Sequence, residues 1–196
     1  MNKFFVIIFF VFLSFSCSQK LRILSDFSTK VTDKSSSYKS ISKFKKEILA
    51  EIDTSVIYKE IYFIQDLDSS MFGLNKLKKY RTTYLPDNNR RQFYRFYPNG
   101  YVNCFINLVD IKISLENFNP DSTGFRGVFY KKRNGKICIE LFQPVTGYGK
   151  YGINKKFVTF VGDSMFIKQD KNSVSSTVFI KTKMNEDLSK VKKWTR

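Results

Sequence analysis

The chain has 196 residues, enough for one domain with a core of ordinary size. Phe 21 and Tyr 11 against Gly 9 and Pro 4 argue against a disordered chain, and the aromatic bias favours strands. Lys and Arg total 34 against 17 Asp and Glu, a net charge of +17, and histidine is absent, which removes the usual general base near neutral pH and the commonest zinc ligand.

Such a basic balance points to nucleic acid, anionic lipid or another acidic surface. Here the charges are scattered and gather at hairpin ends, which reads as solvation of the surface. The three cysteines, one of them near the N-terminus, are too few for a Cys-only metal site. Neither a metal nor a cofactor is expected.

Lys3 precedes an apolar run, Phe4–Leu13, and polar Ser14, Ser16, Ser18 and Gln19 follow. That run has the length of a signal peptide and is too short for a spanning helix. Residues 1–16 are read as a leader, 17–39 as a Ser- and Lys-rich tether, 40–184 as one folded domain and 185–196 as a basic tail. Leu13-Ser14-Phe15-Ser16-Cys17 resembles the lipobox of bacterial lipoproteins, in the relaxed form of some Gram-negative groups. The resemblance implies lipid on the Cys17 thiol, cleavage just before it, and a bilayer partner reached through acyl chains. With no acidic residue beside the anchor, the expected address is the periplasmic leaflet of the outer membrane, with plain secretion as the alternative. At that address no nucleic-acid partner is expected, and the protein is read as a monomer.

Ile41, Phe44, Ile48, Leu49 and Ile52 recur at helical spacing, so Ser40–Ile52 is predicted as one amphipathic helix packing over an open end or face of a sheet. Ser36-x-x-Lys39 and Ser40-x-x-Lys43 match the S-x-x-K letters of penicillin-binding serine enzymes, but no Ser-Asp-Asn partner appears. From Thr54 the period becomes two. Val56–Ile64 predicts a strand with Ile57, Ile61 and Phe63 on one face and Val56, Tyr58, Tyr62 and Ile64 on the other, interrupted by Glu60. Asp66–Asn75 reads as a loop, and Lys76–Leu85 as a weak, basic strand.

The pattern is clearest over Gln92–Leu108, two aromatic runs joined by Pro98-Asn99-Gly100. A three-residue loop pairs Tyr97 with Tyr101. Tyr94 and Phe96 then share a face with Val102, Cys104 and Ile106, opposite Phe93, Arg95, Tyr101 and Asn103. Asp110–Thr123 is turn-rich. A second hairpin, Phe125–Lys132 with Lys136–Phe142, is read with a two-residue Asn134-Gly135 turn that sets Lys132 opposite Ile137. Val128, Tyr130, Ile137, Ile139 and Leu141 would then share a face, with Phe129, Lys131, Cys138 and Glu140 on the other.

Gly147-Tyr148-Gly149-Lys150-Tyr151-Gly152 fits the letters of G-x-G-x-x-G, yet a strand pattern follows where that motif needs a helix. Lys156–Val161 and Ser164–Gln169 pair across Gly162-Asp163, and Val174–Lys183 is the last strand. About eight short strands in hairpin order predict a mostly β fold, an antiparallel meander closing into a barrel or packing as two sheets. The order of a helix and then hairpins with YRFYPNGYVN and VFYKKRNGKICIELF resembles small bacterial lipoproteins of lipocalin-like β-barrel type.

That resemblance implies the fold and an envelope location. With no histidine and no catalytic motif, the chain itself is read as non-catalytic, binding a small apolar or amphipathic ligand or serving an envelope partner. The candidate ligand residues are Tyr94, Phe96, Tyr130 and Phe142. The alternative is a filled barrel whose basic surface meets an anionic envelope polymer, with Arg90, Arg91 and Arg95 as candidate contacts. Cys104 is expected to face the core and Cys138 away from it, leaving two buried, unpaired thiols. Glu140, Asp110 and Asp163 read as solvated surface carboxylates.

Overall fold

The computed structural model describes residues 21–24, 30–32, 35–67, 79–84, 90–108, 114–145, 150–169 and 175–183. The leader, Cys17 and the basic tail lie outside the described residues, as does most of the loop expected at Asp66–Asn75. The strands are β1 (Arg22–Ile23), β2 (Lys30–Val31), β3 (Ile57–Leu67), β4 (Lys79–Tyr84), β5 (Arg90–Phe96), β6 (Tyr101–Leu108), β7 (Phe125–Lys131), β8 (Ile137–Pro144), β9 (Tyr151–Val161), β10 (Ser164–Lys168) and β11 (Ser175–Thr182). β1 and β2 form a small antiparallel ribbon.

All the others join one antiparallel sheet of nine strands in the order β11-β10-β9-β8-β7-β6-β5-β3-β4, and the first eight close into a ring because β11 also pairs with β3. The result is a closed eight-stranded barrel, the architecture expected of the meander. β3 serves as the seam. One of its edges pairs with β11 over Ile57–Gln65. The other is shared, with β5 on Ile57–Lys59 and β4 on Tyr62–Leu67.

The β5–β6, β7–β8 and β9–β10 hairpin turns sit at the same end. In the first, Gly100 adopts φ 86° and donates to the Tyr97 carbonyl at 3.1 Å, while Tyr97 N–H donates to Tyr101 O at 2.9 Å. The three-residue loop and both faces of β5–β6 are as predicted, with Phe96 opposite Val102 and Tyr94 opposite Cys104. The second hairpin corrects the expected register. Lys132 N–H donates to Lys136 O, and Lys131, not Lys132, stands opposite Ile137. Its loop is the same three-residue device, Arg133-Asn134-Gly135, with Gly135 N–H on the Lys132 carbonyl. That slip leaves the faces of β8 as expected but inverts β7. Phe129 lies inside with Ile137, Ile139 and Leu141, and Val128 and Tyr130 face outward. β9 and β10 meet across Gly162-Asp163 as predicted, with Val161 opposite Ser164.

The single amphipathic helix is also corrected. Ser35–Lys43 and Lys46–Ala50 are short 3₁₀ stretches, the first kinked at Tyr38 (φ −122°, ψ 33°) and the two parted at Lys45, whose backbone is extended (φ −130°, ψ 136°). The apolar residues have two destinations, which a straight helix could not serve. Ile41 packs on the outer wall with Tyr97 and Tyr101, whereas Ile48 and Ile52 plug the turn-bearing end of the barrel. Phe44 packs between them on the hairpin turn, so close that a side chain at Gly100 would meet its ring. Part of the expected tether is built in as well, with Leu24, Val31, Thr32 and Tyr38 all buried.

Beyond β6, the 3₁₀ turn Leu115–Phe118 sets the Phe118 ring edge-on to Phe93 and Phe105, at 5.7 and 5.3 Å. The outer face of β5–β6 is therefore covered too. This buries Arg95, Asn103 and Arg126, which adjoin across three strands, and Arg126 donates to the Pro120 carbonyl at 2.9 Å.

Among the described glycines, Gly127 allows the closest approach. A Cβ there would stand 2.3 Å from the Glu140 carbonyl oxygen and 2.7 Å from Leu141 Cδ2. Gly127→Ala is expected to lower unfolding free energy by about 2–3 kcal/mol through overpacking. Gly152→Ala, whose Cβ among the described residues meets Val145 at 3.4 Å, should stay within about 0.5 kcal/mol of wild type. Urea unfolding of both variants checks this.

Candidate functional site

The barrel interior divides in two along its axis. Toward the plugged end it is dry and aromatic. Phe96 stands edge-on to Tyr58, Phe129 and Phe160 at 5.6, 5.1 and 5.9 Å, and Phe44 to Phe129 at 5.4 Å. Each such pair adds about 0.5–1.5 kcal/mol beyond its buried area. Side chains pack this half, and Phe96 is fully buried among them as a packing residue.

The interior becomes polar at mid-depth. Lys156 alternates with inward-facing Val158, so its side chain enters the barrel, where it is 5% exposed. Its ammonium donates to Tyr94 Oη at 3.0 Å. Tyr94 bonds in turn to the Cys104 thiol, which lies 3.6 Å from Gln92 Oε1. Burial pushes the Tyr94 hydroxyl well above its ordinary range and raises the Cys104 thiol, so neither ionises near neutral pH. Cys104 and Cys138 are both buried and free, one facing inward and the other outward.

Glu60 is buried beside this row where β5 parts from β3, and its carboxylate accepts the Gln92 N–H at 2.8 Å, standing in for a ladder carbonyl. Burial raises the Glu60 carboxyl, partly opposed by that bond and by Arg91 and Lys156. Past this level the inward-facing positions Gln92, Gln143, Asn154 and Thr177 are only half-buried, and Ile106 is 44% exposed. Among the described residues, the end opposite the plug, its open end, thus presents amides and hydroxyls in partial contact with solvent.

A separate cleft of about 370 Å³ opens beside the plug. There β9 outruns the β7–β8 hairpin, whose tip stops at Gly135. Inward-facing Ile137, Val158 and Phe160 form an apolar floor, and Lys136, Lys168 and Glu51 stand around it. Its volume is at the low end of the range for small-molecule sites. Glu51 is engaged by an ion pair with Lys131.

Of the residues singled out in the sequence, Tyr94 and Phe96 line the interior, while Tyr130 and Phe142 stand on the outer wall. For Tyr130 this is the register correction again. Arg95 is 3% exposed, its guanidinium 4.9 Å from the Tyr97 ring centre, so it is not presented to a surface polymer. Arg91 is half-buried, and the side chain of Arg90 lies outside the described residues.

Glu140 is no solvated surface carboxylate. It accepts from Tyr130 Oη at 2.7 Å and from Lys155 Nζ at 2.9 Å, and Lys155 also reaches Tyr130 Oη at 2.8 Å. The S-x-x-K letters meet here, with Lys43 Nζ 3.4 Å from Ser40 Oγ and Ser40 bonded to Glu140. This knot ties the 3₁₀ segment to the barrel wall. Asp163 sits in its turn, 81% exposed, 3.3 Å from Lys181, and Asp110 lies outside the described residues.

Lys156 was missed from the sequence, although a signal existed. Lys155 and Lys156 are neighbours in a strand, so they must point to opposite sides, and one had to enter a closed barrel. No family model, curated protein or solved structure matches the chain.

Burial alone would raise the Glu140 carboxyl, but the bonds from Lys155, Tyr130 and Ser40 together hold it below its ordinary value. A carboxyl lowered on folding contributes stability that is complete above about pH 5 and drains away as pH falls through the folded-state value. Glu140→Gln is therefore expected to cost about 1–2 kcal/mol at neutral pH. The two unfolding curves should converge in acid, and a gap of unchanged size there would contradict the electrostatic origin.

Proposed function

We propose that this protein is a non-catalytic lipoprotein of the cell envelope. In this reading Cys17 carries the acyl anchor, and the barrel takes a small amphipathic ligand in the cleft beside its plug. The observation that carries the reading is the cleft itself, an apolar floor of Ile137, Val158 and Phe160 under a rim bearing Lys136 and Lys168. Such a site suits an apolar body with an anionic head. A filled interior toward the plug limits the occupant to a short chain or compact body.

A second reading has its own support. Exposed or half-buried lysines sit over outward rings, Lys132 over Phe157 at 4.8 Å and Lys30 over Tyr151 at 5.9 Å, a texture suited to anionic envelope polymer. In that reading the barrel is an interaction module and the cleft stays empty.

Native mass spectrometry of protein extracted in mild detergent tests the first against the second. A lipid-like mass should accompany the wild type and be lost from Thr159→Trp, which fills the cleft from an exposed position. Apo protein in both, with salt-sensitive polymer binding, would support the second reading instead. Fatty-acid labelling should mark the wild type and not Cys17→Ala; equal label would remove the anchor.

A further inference from the structure

We propose that Lys156 and Tyr94 form a second site, inside the barrel and reached from its open end, that binds a compact anion carrying a carboxylate or phosphate. An ammonium has three donors, and the structure gives Lys156 one hydrogen bond, to Tyr94 Oη. Taking that charge out of water is costly unless it is paired. The inward carboxylate of the same region, Glu60, accepts the Gln92 N–H at the parting of β5 from β3. It offsets part of the Lys156 charge at longer range but makes no hydrogen bond to the ammonium, whose two remaining donors are left for a ligand.

Geometry supplies access and limits size. Below Tyr94 the rings of Phe96, Tyr58 and Phe179 fill the barrel, so a ligand entering from the open end stops at the Lys156 ammonium. Above it, Gln92, Gln143 and Asn154 present amides from half-buried inward positions. These groups hydrogen-bond a polar body and have little to offer an acyl chain. The occupant is therefore a small hydroxylated or amide-bearing acid, chemically distinct from the amphiphile of the cleft.

Calorimetric titration with inorganic phosphate, galacturonate and neutral galactose tests the site on full-length protein. Wild type should bind at least one of the two anions and not galactose. Lys156→Met should weaken that binding by about tenfold or more, the size of a lost charged hydrogen bond. Lys46→Met, an exposed control, should leave it unchanged, as should Thr159→Trp, which reports only on the cleft. If neither anion binds, or if binding survives Lys156→Met, the proposal is overturned while the cleft reading stands or falls on its own experiment. Should Lys156→Met fail to fold, amide NMR of the wild type decides. Shifts confined to the side-chain amides of Gln92, Gln143 and Asn154 support the site, and shifts scattered over the hairpin lysines refute it. Phosphate against galacturonate separates the two head-group chemistries.

Discussion

Closure of the sheet at β3 is the constraint on which the other features depend. A meander of hairpins has two free edges, each a row of unpaired main-chain groups, and pairing β11 back onto β3 closes the ring, leaving β4 as a flap hydrogen-bonded to β3. The seam is irregular because β3 has to serve three partners. Its register with β11 shifts between Val178 and Phe179, so that Ile61 is bulged out and the faces of β3 exchange. At the same level β5 leaves β3, and the Glu60 side chain takes over the hydrogen bond that the ladder gives up. A buried glutamate is thus explained by geometry before any role in binding is considered.

Closure also sorts the ends. Three hairpin turns gather at one end, and the 3₁₀ segments close it with Ile48, Ile52 and Phe44. The aromatic stack beneath that plug fills the interior there, and among the described residues a cleft opens where strand lengths disagree, beside Gly135. The other end keeps inward-facing amides in contact with solvent. A closed apolar end and an open polar end are what a barrel of this size needs if it is to present a shallow site and still hold a dry core.

Two basic knots show how differently the fold treats charge. Outside, Lys155 meets a carboxylate and a phenol, and each member of that group has its partners, so the network behaves as a fastening. Inside, Lys156 has one hydrogen bond, to a phenol, and feels the Glu60 carboxylate only at longer range. Adjacent residues of the same type therefore carry different meanings, and composition, which counts them equally, could not separate them.

Sequence by itself determined the strands, their hairpin order and the first register. Alternation picks out which residues share a face, and Pro98-Asn99-Gly100 admits one loop length that suits both flanking runs. It left the second hairpin ambiguous, since Asn134-Gly135 serves a two- or a three-residue loop, and the helical spacing of Ile41 to Ile52 could not reveal that the segment bends to reach two surfaces. Tertiary structure decided which face of each strand is inside, and so whether Tyr130 or Phe129, Lys155 or Lys156, enters the barrel. A period of two is symmetric between inside and outside, and only the meeting of β11 with β3, more than a hundred residues apart in the chain, breaks that symmetry.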